Sequence, residues 1–537
     1  MSSNKAAQKK QPSLKKSLSI ATAIMVGSVF LSRITGLIRE MVLAQYGGTS
    51  YEMDAYVTSF LIPEILNHFL AGGFLSITFI PIFQKFLTRG DNKGAWNTFS
   101  NLFTTGSILF LIFIPVAMFF TPNLLSFLNS NASDPATAEL TIRLTRIILP
   151  AQMFFYWGAF LMAVQYANHK YFLPALSPLC YNLGIILCGY FLRPYIGIEG
   201  FAWGVLIGSL VGNVFLQLPG AMRVGLKFKP QVKPLDPEFI NYVKKTIPLV
   251  LGLGMAFSNE IFFRFFSAFL DEGAASSVNY ALRTMMFIVA IFGQASGVAF
   301  YPYLSKMAAE KAYKKMADLL NNMLTGIAIY LIPLSALMAV LSAEIVSILF
   351  ERGSFTAQST SQVASVFSVY LTGAFAYSAS FIISRSFYAL QNTILPMVVS
   401  TVIAISSIPL YILFSSSLGA EGIALASASA MVLQFLTLYF LWCRSFGGYR
   451  SLIEWFSKLS RILFASAIGA ALCVFLRRLA IEIFPEHNKL IYNIVIGATS
   501  SLPSMIVIFI LYELMGLQKL RSSFMGLLER KRSPQTS

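Results

Sequence analysis

Charge, cysteine and histidine are scarce in this sequence of 537 residues. Asp, Glu, Lys and Arg together make up 12%, and there are four cysteines and three histidines. The cysteines lie within or at the ends of apolar runs, and the chain contains neither a Cys-x-x-Cys pair nor a cysteine–histidine cluster. This pattern predicts no disulfide framework and no metal site, and nothing in the sequence indicates a cofactor.

The motifs of ATP-driven proteins and of metal-dependent transferases are missing as well. No Walker loop is present, so ATP does not drive this chain directly. A membrane glycosyltransferase or phosphotransferase usually holds its metal with a pair or triad of carboxylates. The aspartates are widely separated along the sequence, at positions 54, 91, 134, 236, 271 and 318. We therefore predict that the chain is not an enzyme.

Apolar residues are abundant, at 56% of the chain. A soluble protein of this length could not bury so much apolar surface. Apolar runs of roughly 20 residues recur along the whole sequence, and each can cross about 30 Å of hydrocarbon. We predict an all-α polytopic membrane protein of about fourteen transmembrane helices. The predicted spans are 18–44, 54–86, 97–121, 141–167, 172–192, 197–219, 239–270, 275–305, 317–341, 359–390, 394–416, 419–443, 459–480 and 489–514.

The distribution of Lys and Arg follows the positive-inside bias and predicts a bacterial inner-membrane protein with both termini in the cytoplasm. The formal net charge is +17, but Lys and Arg lie in short segments between apolar runs, which argues against nucleic-acid binding. Segments predicted inside hold 28 of these residues and segments predicted outside hold 7. The basic N-terminal stretch continues into a full-length span, so we interpret it as a retained helix and not as a cleaved signal peptide.

The sequence contains an internal repeat. Gly197-Ile-Glu199-Gly200 matches Gly419-Ala-Glu421-Gly422 at an offset of 222, and Pro81-Ile-Phe-Gln-Lys85 pairs with Pro302-Tyr-Leu-Ser-Lys306 at an offset of 221. Six spans separate matching positions, which predicts two parallel six-helix repeats plus a C-terminal helix pair. Parallel repeats are typical of alternating-access transporters, whose substrate site lies at the repeat interface. The predicted domains are a basic tail (1–17), two bundles (18–219 and 239–443) joined by a linker (220–238), the helix pair (444–514) and a second basic tail (515–537).

Charged residues within the first span are candidate binding residues, because charge in a membrane is costly unless it faces protein or water. Arg33 and Arg39 flank Gly36 by about 60° on either side of the helix, about 9 Å apart along its axis. Guanidinium groups bind phosphate oxygens through paired hydrogen bonds, so we expect a phosphate or diphosphate ligand. The alternative is that both arginines reach the membrane surface or pair with Glu40, Asp54 or Glu64.

Further charges lie in the spans that follow. The second span carries Asp54, Glu64 and Asn67 and is interrupted by prolines and glycines, which suits a bending or gating element. Glu260 and Arg264 are four residues apart and favour a structural salt bridge with each other. Arg283 has no acidic residue within four positions, so it needs a partner from elsewhere, and an anionic substrate is one candidate.

Several motifs resemble the MurJ/MviN family of the multidrug/oligosaccharidyl-lipid/polysaccharide exporter superfamily. They are Leu31-Ser-Arg33-Ile-Thr-Gly36-Leu-Ile-Arg39-Glu40, Asp54-Ala-Tyr56, Phe60-Leu-Ile-Pro63, Asn168-His-Lys-Tyr-Phe-Leu-Pro174-Ala-Leu-Ser-Pro178 and Phe387-Tyr388-Ala389-Leu-Gln391. The resemblance covers essentially the whole chain. It implies a flippase for lipid II, the undecaprenyl-diphosphate-linked precursor of cell-wall peptidoglycan, that is driven by an ion gradient or the membrane potential. It also implies that Arg33, Arg39, Asp54 and Arg283 are functional charges.

The sequence departs from the family pattern at three positions. Asn67 stands where the family has an arginine, Met286 where it has an acidic residue, and Gly72 where it has a glutamate. These differences leave room for a flippase of another undecaprenyl-linked oligosaccharide. A cation-coupled drug exporter is the less favoured alternative, because it would need an acidic cavity. For substrate binding we single out Arg33, Arg39, Arg283, Asp54, Glu40 and Asn67, and for gating or coupling Glu64, Glu260 and Arg264.

Overall fold

The computed structural model describes residues 14–70, 74–128, 135–252, 254–485 and 488–517, and every regular element in these ranges is helical. The helices are α1 (Leu14–Gly47), α2 (Tyr51–Thr58), α3 (Leu61–Leu70), α4 (Phe74–Thr88), α5 (Asn92–Leu128), α6 (Pro135–Ile148), α7 (Ala151–Ala167), α8 (Phe172–Ile196), α9 (Glu199–Leu210), α10 (Gln217–Arg223), α11 (Pro237–Gly252), α12 (Gly254–Ser267), α13 (Ala274–Val289), α14 (Ala295–Ala309), α15 (Tyr313–Val340), α16 (Ser342–Phe350), α17 (Ala357–Ala389), α18 (Ile394–Trp442), α19 (Gly448–Ile483) and α20 (Lys489–Leu514). The predicted all-α class is confirmed.

Ten helical segments within the described residues are long and apolar enough to cross a membrane. The predicted spans 172–192, 317–341 and 359–390 correspond closely to α8, α15 and α17. The spans predicted at 54–86 and 239–270 include positions 71–73 and 253, which lie outside the described residues. The structure confirms a multi-pass membrane protein, whereas the count of fourteen helices stays a prediction.

The internal repeat extends to backbone conformation. Gly197 has φ 59° and ψ −141°, and Gly419, 222 residues later, has φ 59° and ψ −130°. A residue with a Cβ atom rarely adopts this conformation, so glycine is needed at both helix-to-helix turns. His169 and Gln391, also 222 apart, have φ values of 58° and 59°. The two halves therefore share turn geometry as well as sequence motifs.

The described residues form two compact units. The first contains residues from the segments Met1–Arg39, Ile62–Leu124 and Ile142–Val250. Its core is aromatic: the Phe79 ring lies 5.4 Å from Phe83 and 5.1 Å from Phe160, between ring centroids. Glycines also let α8 and α9 approach closely in this unit, because a Cβ atom on Gly184 would lie 2.4 Å from the Cα atom of Gly208.

The second unit contains residues from the segments Glu40–Leu61, Leu125–Thr141 and Leu251–Ser537. Its core includes the buried rings of Tyr439 and Trp455, whose centroids are 4.9 Å apart. A buried hydroxyl chain crosses this core, since Ser427 Oγ lies 2.7 Å from the hydroxyl of Tyr411 and 3.5 Å from that of Tyr370. The predicted bundle limits, 18–219 and 239–443, follow the sequence repeat and stay a prediction.

Candidate substrate-binding site

Arg39 is held by an amide in the first unit. Arg39 Nη1 donates to Asn182 Oδ1 at 3.1 Å. Asn182 lies on α8 and is only 5% exposed, whereas Arg39 is half-buried and Arg33, on the same helix, is exposed. One of the two predicted phosphate-binding arginines therefore has a fixed direction. Asn182 was not predicted as a site residue, although an asparagine in an apolar span is the kind of signal that could have indicated it.

The glycine between the two arginines is not closely packed against its described neighbours. A Cβ atom on Gly36 would lie 3.8 Å from Asn182 Nδ2, which is an ordinary van der Waals distance. The contact between α1 and α8 at this level is therefore made by polar side chains and does not require close approach of the two backbones.

Arg283 has a carboxylate partner in the second unit. Its Nη1 and Nη2 atoms donate to Glu260 Oε1 and Oε2 at 2.9 and 3.0 Å. The prediction that Arg283 needs a partner from elsewhere is correct, and within the protein that partner is Glu260. The expected pairing of Glu260 with Arg264 is also present, but at 3.7 Å it is the longer of the two contacts.

Arg264 is a buried residue of the second unit. It is 3% exposed, donates a hydrogen bond to the carbonyl oxygen of Val57, and lies over the rings of Phe60 and Phe263 at 5.4 and 5.0 Å from their centroids. Cation–π contacts of this kind stabilise a guanidinium group that has left water. These contacts indicate that Arg264 holds the packing of α12 against the segment that contains α2.

Two acidic candidates bind polar groups of α13. Asp54 Oδ2 accepts from the backbone N–H of Gly273 at 2.6 Å, and Asp54 Oδ1 accepts from that of Ser276 at 2.7 Å. These are amides at the beginning of α13, where helices have no backbone acceptors of their own. Glu40, 3% exposed, accepts from Asn279 Nδ2 at 3.2 Å. Both carboxylates therefore contribute to the structure of the second unit.

The remaining predicted residues occupy partly exposed positions. Glu64 and Asn67 lie on α3 and are half-buried, and Met286 lies half-buried on α13. Gly72 lies outside the described residues.

A polar cluster at α16 was not predicted. Glu344 and Ser347 lie on α16, and Glu351 directly follows the end of that helix. Each of the three contacts α19 or α20: Arg477 Nε lies 2.6 Å from Glu344 Oε1, Asn493 Nδ2 lies 2.8 Å from Ser347 Oγ, and Lys489 pairs with Glu351. Burial opposes ionisation of Glu351, but hydrogen bonds from Lys489, Ser347 and Thr360 outweigh it and hold the pKa of this carboxyl below its usual value. Within the second unit, the cluster fastens α19 and α20 to α16 and the residue that follows it.

The chain is similar to proteins of one family over most of its length. The family model described as "Lipid II flippase MurJ" matches residues 43–492. A probable lipid II flippase of Thermotoga maritima is 27% identical over 473 residues, which is 87% of this chain and 91% of that protein. A lipid II flippase of Burkholderia cenocepacia is 27% identical over 457 residues, which is 83% of this chain and 86% of that protein.

Solved structures agree with this assignment. A lipid II flippase MurJ in an inward closed conformation matches with a TM-score of 0.75 and 26% identity, over 92% of this chain and 99% of that one. An inward-facing multidrug transporter of the MATE family matches with a TM-score of 0.56 and 14% identity, over 80% of this chain and 95% of that one, which shows a shared fold alone. The chain belongs to the lipid II flippase MurJ family.

Proposed function

We propose that this protein moves lipid II from the inner to the outer leaflet of the bacterial cytoplasmic membrane. The observation that carries the proposal is the match to a solved lipid II flippase over 92% of the chain. The apolar spans supply the multi-pass membrane location, and the two sequence repeats fit alternating access, in which the binding site opens to each side of the membrane in turn. Both termini lie in the cytoplasm in this proposal, with lipid II and the bilayer as partners and an ion gradient or the membrane potential as the energy source.

The diphosphate of lipid II is the part of the substrate that the arginines recognise. Arg33 and Arg39 lie on α1, which includes the first predicted span, and Arg283 lies in a helical segment that is long and apolar enough to cross a membrane. Guanidinium groups suit phosphate oxygens because they stay protonated and bind through two donors at once. Arg39 already has a fixed direction through Asn182. The Asn182 amide is neutral, so this hydrogen bond orients the guanidinium group and adds no charge of its own.

Glu260 acts as an internal substitute for the substrate at Arg283. Its carboxylate occupies both Nη atoms of Arg283, which are the atoms that a diphosphate would bind. Binding of lipid II at this position therefore exchanges one anion for another, and the released Glu260 remains close to the buried Arg264, at 3.7 Å in this structure. The exchange lowers the net affinity for the substrate and so favours its release.

The first experiment depletes the protein in its host and follows lipid II by leaflet, with an externally added enzyme that cleaves only outward-facing headgroups. Accumulated lipid II that is protected from cleavage is the expected result. Lipid II that stays accessible while the wall grows normally would show that this protein has another substrate. A covalent change in the precursor would contradict a transport function.

Charge-removing variants test the site itself. Arg39→Ala and Arg283→Ala are expected to weaken lipid II binding about tenfold or more each, because each removes charge-assisted hydrogen bonds to phosphate. Arg143→Ala is the matched control, since Arg143 is 58% exposed in a 3.5 Å surface pair with Glu199. Full transport in both site variants would exclude these arginines from the substrate site.

A flippase for another undecaprenyl-linked oligosaccharide is the second candidate. The neutral Asn67, on a partly exposed face of α3, favours it because the related flippases are expected to have an arginine there. Asn67→Arg separates the two: higher affinity for lipid II would indicate a tolerated variation, and lower affinity with retained binding of another lipid-linked glycan would indicate a different headgroup.

A further inference from the structure

The segment that follows α10 is held against α5 within the first unit. The backbone N–H of Lys229 donates to Ser100 Oγ at 3.1 Å. Four residues later, the backbone N–H of Lys233 donates to Asn101 Oδ1 at 2.7 Å, and the Lys233 carbonyl oxygen accepts from Asn101 Nδ2 at 2.9 Å. Asn101 is 3% exposed, and both ends of its amide are used in this reciprocal pair. The backbone of residues 223–235, which we call the linker strap, therefore has a fixed position on α5.

Two Lys-Pro steps keep the linker strap extended. Pro230 follows Lys229, and Pro234 follows Lys233. Proline fixes its own φ angle and disfavours helical backbone at the residue before it. Both lysines are bound to α5 through their backbone, and both remain exposed. Their ammonium groups extend from a backbone that is already ordered, so less conformational entropy is lost when a ligand binds them.

The positive charge of the linker strap is not neutralised by the carboxylates that follow it in the sequence. Asp236 caps α11, since its Oδ1 accepts from the backbone N–H groups of Glu238 and Phe239 at 3.0 and 3.2 Å. Glu238 in turn pairs with Lys85 at 3.0 Å. Within the described residues, no carboxylate forms an ion pair with the four exposed basic residues of the strap, Arg223, Lys227, Lys229 and Lys233. An anionic ligand can therefore bind this surface without displacing a carboxylate.

Large apolar side chains lie between these charges. Phe228, Val232 and Leu235 are 45%, 50% and 86% exposed. The Phe228 ring also contacts Phe103 on α5, with 5.4 Å between the ring centroids. Phe103 lies near the beginning of Asn92–Ser126, a helical segment that is long and apolar enough to cross a membrane. Interleaved basic and apolar side chains beside the end of such a segment suit the region where lipid headgroups meet acyl chains.

We infer that the linker strap is a docking surface for anionic phospholipids: its basic side chains bind the lipid phosphates, and Val232 and Leu235 enter the edge of the acyl-chain layer. Basic segments beside membrane spans are attracted to anionic lipid surfaces in this way. The exposed apolar side chains favour a lipid surface over an acidic protein, because attraction to an acidic protein does not require them. In the predicted orientation these lipids belong to the inner leaflet. The inference does not depend on the proposed substrate.

A fluorophore on the linker strap tests the inference. In the full-length protein without its four native cysteines, Leu235→Cys carries an environment-sensitive dye, and phosphatidylglycerol or phosphatidylcholine is titrated into the detergent-solubilised protein. The emission should shift to shorter wavelength at a lower concentration of phosphatidylglycerol, because only that headgroup has a net negative charge. The combined variant Lys227→Gln, Lys229→Gln and Lys233→Gln should weaken the apparent affinity for phosphatidylglycerol about tenfold or more, since each lysine near an anionic lipid surface contributes roughly fivefold.

Lys311, Lys314 and Lys315 provide the matched control. They are exposed basic residues of the second unit, in a segment that the charge distribution also predicts inside. Replacing all three with glutamine removes the same charge from the protein but should leave the titration followed at residue 235 unchanged. Replacing the three strap lysines with arginine should keep the affinity, because a guanidinium group also binds phosphate.

Three results would overturn the inference. They are equal apparent affinities for the two lipids, an unchanged affinity for phosphatidylglycerol in the glutamine variant of the strap, and an equal loss of affinity in the control variant. None of them bears on the proposed function, because the titration contains no lipid II.

Discussion

At the scale of single residues, the charged side chains of the spans are engaged with polar groups of the protein. Glu260 binds Arg283, Asp54 binds backbone amides of α13, and Asn182 binds Arg39. Charges in a membrane protein persist when such partners offset the cost of leaving water. Some of these contacts maintain the fold, and others hold a binding group ready, so each requires its own test.

Replacing Glu260 with glutamine tests whether its carboxylate competes with the substrate for Arg283 or helps to bind the substrate. Because the amide competes less well than a carboxylate for Arg283, Glu260→Gln is expected to raise lipid II affinity about fivefold. Equilibrium binding of lipid II to the purified protein measures this. Glu238→Gln is the control, since it removes a half-buried carboxylate that pairs with Lys85 at 3.0 Å, comparable in exposure to Glu260. Weaker binding in Glu260→Gln alone would show that the carboxylate itself helps to bind substrate.

Asp54 is expected to act on stability. Asp54→Ala leaves two backbone amides of α13 without their acceptors and should lower the free energy of unfolding by about 2 to 4 kcal/mol. Thermal unfolding of the purified protein measures the loss. Asp91→Ala is the control variant and should lower the free energy of unfolding by less, because Asp91 is exposed and accepts one backbone hydrogen bond, from Gly94 at 2.8 Å. A stable Asp54→Asn variant that fails to bind lipid II would instead assign Asp54 to the substrate site.

At the scale of helices, the turns of the two repeats depend on glycine. The motif Gly-x-Glu-Gly occurs at matching positions of the two repeats. In the second repeat, the structure shows why the first and the last residue of the motif, Gly419 and Gly422, are both glycines. Gly419 adopts a φ of 59° with a ψ of −130°, and three residues later a Cβ atom on Gly422 would lie 1.8 Å from the carbonyl oxygen of Phe414. The chain thus folds back on itself within the continuous helical segment α18.

Gly422→Ala is therefore expected to destabilise the protein by about 2 to 3 kcal/mol, because a backbone carbonyl cannot move aside as a flexible side chain can. Gly497→Ala is the matched control in the same unit. A Cβ atom there has nothing within 4 Å, so its unfolding temperature should stay the same or rise slightly. Equal unfolding temperatures for the two variants would contradict the close approach of Gly422 to Phe414.

At the scale of the whole molecule, the few basic residues predicted on the outer side are partly offset by carboxylates. Arg477 and Lys489 belong to this predicted outer set, and they pair with Glu344 and Glu351 in the second unit. These contacts require each pair to lie on one side of the membrane, which fits the prediction that Arg477 and Lys489 share a side; which side that is stays a prediction from the distribution of Lys and Arg.

Cysteine labelling tests that orientation. In a background without the four native cysteines, Tyr195→Cys should react with a membrane-impermeant thiol reagent in intact cells, and Lys229→Cys should react only after permeabilisation. Tyr195 is 85% exposed and Lys229 is also exposed, so both sites are accessible to reagent on their own side. The reverse pattern of labelling would place the termini outside.

The sequence by itself determined the class of protein, many of the spans, the repeat and the family. These features are local or periodic: an apolar run is readable from its length, and a duplicated motif from its offset. The tertiary structure alone decided which polar groups meet. Arg283 is 23 residues from Glu260, Arg39 is 143 from Asn182, and Glu40 is 239 from Asn279. No spacing rule reaches across such separations, because these contacts exist only where the packing of helices brings distant turns together.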